Sequence, residues 1–354
     1  MIYNKNQKST INFLFDTQIT THAIYLTKSN VIEILNNAEL FFEMQQYTYS
    51  FYKLDKICTI YDVYNIESDV LGQKIKYFKN DLPSVDAEKP FIKEKSDIYK
   101  IKNINFKGNS RARFVLELID IYKEKVGKDF KPRFCAPFSL AANIRGFSNL
   151  IIDIYDDKKF VKELFRIINY EILAPWISKQ RERIGNNNII ASGADAWVVI
   201  PNVNLVIIED IIIPSYLELK SMAGNIYLSL LGGARFLKRP EEYLEIQKIL
   251  NPFLVKGTDF DIEMLGLEFY KDFAVKNNMD LLFGIEANSI LDNNIEVIMK
   301  KIRNYIKVGM SANKNFTLYF NDIPANISTD KLKNIFNEIR KIQTTITKIN
   351  KSIC

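Results

Sequence analysis

The sequence predicts an α/β protein with the (β/α)8 barrel fold. Two observations carry this prediction: eight short apolar runs alternate with amphipathic helical patterns, and no linker divides the 354 residues. A chain of this length also fits two small domains, and a doubly wound sheet is the structural alternative. We expect one domain over residues 1–354.

The eight candidate strands are short runs rich in apolar and β-branched residues. In chain order they are INFLF (11–15), ICTIYDVY (57–64), PRFCAPF (132–138), AWVVI (196–200), IYLSLL (226–231), DFDIEML (259–265), LLFGIE (281–286) and FTLYF (316–320). The stretch 73–108 is charged and irregular. We interpret it as a long excursion after the second strand, on the face where barrel enzymes carry their active sites.

Helical periodicity marks the segments between the strands. The clearest examples are residues 110–127, 158–185 and 293–309. Pro175 predicts a kink within the second of these helices, because proline lacks the backbone donor that continues the ladder. The third helix is expected to begin after Asp292 as N-cap and to end at Gly309 as C-cap.

Composition excludes several classes of protein. No run of about 18 uncharged apolar residues occurs, so no membrane span is expected. The N-terminal segment MIYNKNQKSTINFLF lacks a small-residue cleavage pattern, so a secretory signal is not expected and the predicted location is the cytoplasm. The net charge of +6 is interspersed with acids, so neither nucleic acid nor a membrane is an expected partner.

Cysteine and histidine are scarce, which limits the available chemistry. The three cysteines, Cys58, Cys135 and Cys354, form no CxxC pair and suit a reducing compartment. His22 is the one histidine, so zinc sites with two histidines are excluded, as are Ser-His-Asp and Cys-His sites that do not use it. Acid–base chemistry would fall to Asp, Glu, Tyr or Lys side chains, or to the substrate.

Three stretches resemble segments of the uroporphyrinogen decarboxylase superfamily. APFSLAANIRGFSNLIIDIYDDKKFVKELF (136–165) resembles the family's GPFTLA…RGFENLLMDLYDDPEFVHELL. DVYNIESDVLG (62–72) is similar to the D…VEAEALG segment of its corrinoid methyltransferase branch. GIEANSILDNNIEVIMKKIRNYIKVG (284–309), followed by FTLYFNDIPANISTDKL (316–332), resembles GNVDP…LLNGTPEEVREEVRRYIEAG and then FILSPGCGIPPDTPPENL. The resemblance covers roughly residues 35–345 and implies a TIM-like barrel.

The resemblance implies two activities, of which decarboxylation fits less well. Decarboxylases of this family carry an arginine-rich RQAGR segment after the first strand, which holds the acidic side chains of the tetrapyrrole. The corresponding stretch FLFDTQITTHAIY (13–25) has no arginine, although the family's aspartate persists as Asp62. A divergent decarboxylase would need Arg145 and Arg235 to replace the missing cations.

The methyltransferase branch implies a zinc site that this sequence does not supply. Its ligands are a His-x-Cys on the fifth strand and a cysteine on the eighth. Alignment places the first pair on Ser229 and Leu231, or on Leu230 and Gly232 after a one-residue shift, and the last ligand on Asn321. None of these side chains holds zinc well. We therefore expect no metal and no tightly bound cofactor.

Polar side chains cluster near the predicted strand ends, which face the active site of a barrel. Three carboxylates are interpreted as catalytic, because they could protonate a leaving group or hold a cation: Asp62, Glu67 and Glu263. The residues interpreted as substrate-binding are Asp16, Asn143, Arg145, Asn202, Asn204, Ser229, Arg235, Glu286, Asn288, Asn321 and Asp322. Structural interpretations stay open: Ser229 as a core residue, Arg145 as a loop anchor and Glu67 as a helix cap.

The leading expectation is a zinc-independent methyltransferase. It would move a methyl group between a small methylated compound and the cobalt of a corrinoid (cobalamin) on a partner protein. One alternative is a ligand-binding or regulatory barrel without catalysis, and another is the divergent decarboxylase. A homodimer is compatible with the family resemblance, but no interface pattern indicates one.

Overall fold

The computed structural model describes residues 12–79, 81–102, 104–108, 110–127, 130–230 and 232–353. The strands in these ranges are β1 (Phe13–Thr17), β2 (Ile75–Lys76), β3 (Ser84–Val85), β4 (Arg133–Cys135), β5 (Ala191–Asp195), β6 (Ile226–Leu230), β7 (Leu254–Gly257), β8 (Asp280–Ile285) and β9 (Phe316–Phe320). The α-helices are α1 (Thr20–Thr27), α2 (Val31–Ile34), α3 (Ala38–Tyr52), α4 (Val63–Val70), α5 (Ser110–Lys125), α6 (Pro137–Arg145), α7 (Phe147–Asp156), α8 (Lys158–Ile167), α9 (Ala174–Ile184), α10 (Leu205–Ile207), α11 (Ile213–Ala223), α12 (Glu241–Leu250), α13 (Asp259–Leu265), α14 (Leu267–Asn277), α15 (Ala287–Asp292), α16 (Ile295–Ser311) and α17 (Thr329–Ile353). Within the described ranges, none of these helices is long and apolar enough to cross a membrane.

Parallel strands form the two main sheets. One sheet has the order β1-β9-β8-β7, and the other has the order β4-β5-β6. Tyr319 of β9 is level with Asp16 on one side and with Gly284 on the other, so three neighbouring strands end at the same height. Because the strands are parallel, their carboxyl ends lie on one face, as they do in (β/α)8 barrels.

The second predicted strand, 57–64, is wrong, because residues 57–62 have no strand pairing and α4 begins at Val63. Two hydroxyl groups explain the missing pairing. Tyr122 donates to the carbonyl oxygen of Cys58 at 2.6 Å, and Thr20 donates to that of Ile60 at 2.6 Å. These side chains satisfy backbone acceptors that a neighbouring strand would otherwise use.

The fourth predicted strand, 196–200, is displaced along the chain, since the observed strand is β5 at Ala191–Asp195. This strand consists of small residues because its outer face is crowded. A Cβ on Gly193 would lie 2.4 Å from a methyl carbon of Leu228 and 2.7 Å from the ring of Phe134. A run of small residues looks like a loop in sequence, whereas the more apolar run that follows it looks like a strand.

The sixth predicted strand, 259–265, is wrong, because this stretch forms α13 and the strand is the preceding β7. Asp259 and Asp261 lie in the first turn of α13. Carboxylates are stabilised there by the partial positive charge of the exposed backbone N–H groups. The remaining predicted strands overlap observed ones, although Ile11 and Leu231 at two of their ends lie outside the described residues.

The predicted helices are confirmed, with corrected ends. The stretch 158–185 divides into α8, a π-helical turn at Ile168–Leu173 and α9, whose first turn contains Pro175. The helix predicted at 293–309 is α16, and its N-cap is Asn294 rather than Asp292. Gly309 lies inside this helix, whose C-cap is Ala312, and a side chain is excluded at Gly309 because a Cβ there would be 2.3 Å from the ring of Phe316.

Alternation along the strands separates an outer face from an inner face. Phe15 and Phe320 pack against Phe336 of α17, and Phe283 packs against Tyr305 of α16. These rings therefore face the surrounding helices. The side chains between them point to the barrel interior and are partly exposed: Asp16, Ser192, Ser229, Lys256, Leu282 and Tyr319. The inner face is thus largely polar and partly exposed to solvent.

Candidate active site

Asp62 lies directly before α4, in a buried ion pair. Its Oδ1 atom contacts the guanidinium group of Arg111, and its Oδ2 atom accepts from the Asn65 amide at 3.1 Å. Burial raises the pKa of Asp62, and the positive charge of Arg111 opposes this effect. The pair fixes the start of α4 against α5, and the catalytic role of Asp62 stays a prediction.

Glu67 lies in the middle of α4 and is completely buried. Its Oε1 atom accepts from the backbone N–H of Cys135 at 3.0 Å, so the carboxyl group links α4 to the end of β4. Its Oε2 atom has no hydrogen-bond partner among the described residues. Burial raises the pKa of Glu67 to about 8. The helix-cap interpretation is wrong, because Glu67 lies inside α4 and its burial favours the protonated carboxyl group.

Asp195 ends β5, and sequence reasoning missed it. Its Oδ1 atom accepts from the Ser139 hydroxyl at 2.6 Å and from the Ser139 backbone N–H at 3.1 Å, while Oδ2 has no partner among the described residues. Burial raises the pKa of Asp195 to about 7. The network continues to the rim, where Trp197 donates its indole N–H to Asn143 at 2.9 Å. Asn143 is therefore engaged with protein groups on the same face as Asp195.

The loop after β6 wraps around the carboxylate of Asp261. The backbone N–H groups of Gly233 and Ala234 donate to Asp261 Oδ2 at 2.8 and 3.2 Å, and Arg235 donates its Nη1 hydrogen to Oδ1 at 2.8 Å. Successive N–H groups of this kind form an anion-binding nest. Here the anion is the protein's own side chain, so Arg235 is paired within the protein.

The ends of β8 and β9 bring Glu286 and Asn321 together. The Asn321 amide donates to Glu286 Oε2 at 3.0 Å. Asp322 follows with a left-handed backbone (φ 45°) and accepts from the Thr21 hydroxyl at 3.4 Å. Neither carboxylate forms an ion pair with any residue in the described ranges. These predicted binding residues share one edge of the mouth.

Glu263 is a correction. It was expected on an apolar strand, but it lies on α13 with 54% of its side chain exposed. Its Oε1 atom pairs with Lys301 at 2.8 Å, and Lys301 also pairs with the buried Asp259 at 2.7 Å. An exposed helical carboxylate with a lysine partner needs no catalytic explanation. The argument that placed Glu263 in the active site is therefore wrong.

Two predicted site residues lie on the inner face of the strands. Asp16 is partly exposed there and forms an ion pair with Lys56 at 2.7 Å. Ser229 is also partly exposed, between the buried Leu228 and Leu230, and so differs from its interpretation as a core residue.

Other predicted site residues have structural roles or stand apart. Arg145 donates to Asp153 at 2.8 Å and to the carbonyl of Lys93 at 2.6 Å, so it anchors the 73–108 excursion, as its structural interpretation held. Asn204 caps α10 through Ile207 N–H at 3.0 Å. Asn202 and Asn288 are exposed. These four residues do not converge with the strand-end carboxylates through any hydrogen bond within the described ranges.

Comparison with known proteins finds one similar family and one similar structure. Residues 18–183 match the family model described as uroporphyrinogen decarboxylase (URO-D). This match covers a little less than half of the chain, and over that stretch the chain is similar to this family. A methyltransferase from Methanosarcina mazei superposes on this chain with a TM-score of 0.70 at 14% identity, over 94% of this chain and 95% of that chain. This likeness confirms the predicted fold class. Comparison with curated proteins finds no match.

The residues present do not fit the zinc ion found in part of the uroporphyrinogen decarboxylase superfamily. Ser229 offers a neutral hydroxyl, Gly232 has no side chain, and the Asn321 amide nitrogen is already a donor to Glu286. Leu230 is buried on the outer face, and Leu231 lies outside the described residues. No group of three or more His, Cys, Asp or Glu side chains in the described ranges is arranged to hold a metal ion.

Sequence reasoning missed four charged residues that the fold brings to the strand ends: Lys256, Asp195, Asp259 and Asp261. Asp259 and Asp261 were missed because residues 259–265 were assigned to a strand. Asp195 carried a signal in principle, since it is an acid directly after a run of small residues. Lys256 had none, because lysine is common and its interior position depends on the register of β7.

Proposed function

We propose that the protein is a methyltransferase that moves a methyl group from a small methylated compound to the cobalt of a corrinoid on a partner protein, without zinc. One observation supports this most. Glu67 and Asp195 are carboxyl groups with pKa values raised to about 8 and about 7, on a barrel whose shape resembles that of a methyltransferase. Such groups exchange protons near neutral pH.

The chemistry needs a proton or a positive charge on the donor. The electron pair of reduced cobalt forms the new carbon–cobalt bond, and the electrons of the old methyl bond remain on the donor atom. A cationic donor leaves as a neutral molecule, whereas a neutral donor must receive a proton. Zinc serves reactions in which a thiol has to be ionised, and no thiol is ionised in this step.

A ligand-binding barrel without catalysis is the second candidate. It is favoured by the internal pairing of many rim groups, such as Asp62 with Arg111 and Asp261 with Arg235. The polar, partly exposed inner face favours an enzyme instead. We do not propose the decarboxylase, because Arg145 and Arg235, the cations it would need, are each paired with an aspartate.

The test is methyl transfer to cob(I)alamin by the full-length chain, followed by the absorbance of methylcob(III)alamin across methylated amines, sulfonium compounds and alcohols. We expect transfer from at least one donor and a loss of about tenfold or more in E67Q, in line with general acid catalysis. The exposed Glu124 provides the control variant E124Q, which should retain full activity. No methylation with any donor, also in the presence of corrinoid proteins, would contradict the proposal.

A further inference from the structure

Lys256 points into the barrel. It is the third residue of β7, between Val255 and Gly257, which are both buried. A Cβ on Gly257 would lie 3.0 Å from Ile262 and 3.2 Å from the ring of Tyr270 in α14, so Gly257 faces the outer helices. Because side chains alternate along a strand, Lys256 faces the interior.

The backbone of Lys256 is fixed while its ammonium group is not paired. Gln247 accepts from the Lys256 N–H at 3.0 Å and donates to its carbonyl oxygen at 3.0 Å. The ammonium group makes no hydrogen bond or ion pair with any residue that the structure describes. Burial lowers the pKa of Lys256, and the negative charge of Glu286 opposes this effect. A partly buried cation without a fixed counter-ion is costly unless a ligand completes it.

Carboxylates of opposite charge stand at the rim on the next two strands. Glu286 follows β8, next in the sheet to β7, and Asp322 lies just beyond β9. Glu286 acts on Lys256 electrostatically but forms no ion pair with it, and its Oε2 atom accepts from the Asn321 amide at 3.0 Å. Along β7, β8 and β9, one lysine without a fixed partner therefore lies within a strand, and two carboxylates follow the ends of the next two strands. A single lysine suits a monoanion such as a carboxylate better than a phosphate, which needs several donors.

We propose that the barrel binds a small zwitterion, whose carboxylate pairs with Lys256 and whose cationic methylated group lies against Glu286 and Asp322. This inference rests on the proposed function, since the cationic group would be the methyl donor. It names the substrate class that the donor panel leaves open. The methyl group would face the mouth, where a corrinoid protein has access.

The test is calorimetric titration of the full chain with three molecules of nearly equal shape. Trimethylammonioacetate carries both charges, choline only the cation, and 3,3-dimethylbutanoate only the carboxylate. We expect the zwitterion to bind about tenfold or more tightly than either, equivalent to about 1.4 kcal/mol. K256M should lose about tenfold in affinity for the zwitterion and K256R less than about threefold, whereas K300M, at an exposed lysine, should lose none.

Equal binding of choline and the zwitterion, unchanged binding to K256M, or no binding of any probe would overturn the inference. These binding measurements need no corrinoid. Lysine-dependent binding without methyl transfer therefore contradicts only the proposed function, whereas methyl transfer that survives K256M contradicts only the zwitterion site. Circular dichroism spectra and unfolding midpoints of the variants must match those of the unmodified chain, and K256Q, which also removes the charge, replaces K256M if K256M fails to fold.

Discussion

At the scale of single residues, Glu67 links stability to pH. Its pKa is raised from 4.5 to about 8, so the folded state keeps a proton that the unfolded chain releases. Stability contributed by the protonated group is complete below the unfolded value and falls as pH rises between the two values, by at most about 1.4 kcal/mol per unit. E67Q cannot titrate. Its free energy of unfolding, relative to that of the unmodified chain, should therefore rise by about 2 kcal/mol when the pH is raised from roughly 5.5 to 7.5.

Urea unfolding at both pH values measures this difference. E124Q is the matched control, since Glu124 is exposed on α5 and the same chemical change there should leave the pH dependence unaltered. Parallel stability curves for E67Q and the unmodified chain would show that Glu67 is ionised in both states.

The sequence indicated that Glu67 and Asp62 lie near the barrel mouth, but it could not show their partners. Asp62 meets Arg111, which is 49 residues away, and Glu67 meets Cys135, which is 68 residues away. Burial sets the pKa of Glu67, and burial depends on how α4 packs beneath β4. Local pattern carries no information about such contacts, so residue types were predictable while their protonation states were not.

At the scale of elements, the turn after β6 depends on a glycine. Gly233 has a φ of 112°, and a Cβ there would lie 2.5 Å from the carbonyl oxygen of Ile200. G233A should therefore cost about 2–4 kcal/mol, from a left-handed backbone and from overlap in a packed site. Guanidinium unfolding of the purified variant gives the value.

Gly127 supplies the comparison, because its φ is 103° and no atom lies within 4 Å of the place that a Cβ would occupy. G127A carries only the backbone cost, about 1 kcal/mol. The difference between the losses in unfolding free energy of G233A and G127A measures the cost of the contact with Ile200. Equal losses would mean that the turn moves freely and that the Asp261 nest does not depend on it.

The type of an element was predictable where apolar periodicity extends over many residues. The prediction was wrong where tertiary packing determines the residue types. The periodic stretches that became α5, α8, α9 and α16 were recognised. The small residues of β5 were overlooked because Leu228 and Phe134 occupy the space above Gly193. The stretch at Asp259 was assigned to a strand, although its acids favour the start of α13.

At the scale of the whole molecule, the repeated order of strands and helices carried the fold prediction. That order survives errors of several residues in single strands, since a barrel needs only that strands and crossovers alternate. The prediction of the site residues is more sensitive to such errors in strand position. A displacement of one residue in β7 would turn Lys256 from the interior to the outer helices, so the interior charge became visible only with the register.

The whole chain is expected to contain no bound zinc. Ser229, Gly232 and Asn321 offer a hydroxyl, no side chain and an amide at the places where zinc relatives carry imidazole and thiolate, and neutral groups of this kind bind zinc weakly. Chain purified from zinc-supplemented medium should contain less than about 0.1 zinc per molecule. Removal of metals by a chelator should leave the thermal midpoint within about 1 °C and methyl transfer unchanged, because no folding energy comes from a bound ion. One tightly held zinc per chain, lost together with activity on chelation, would show that other side chains rebuild the site and that the carboxyl groups do not replace it.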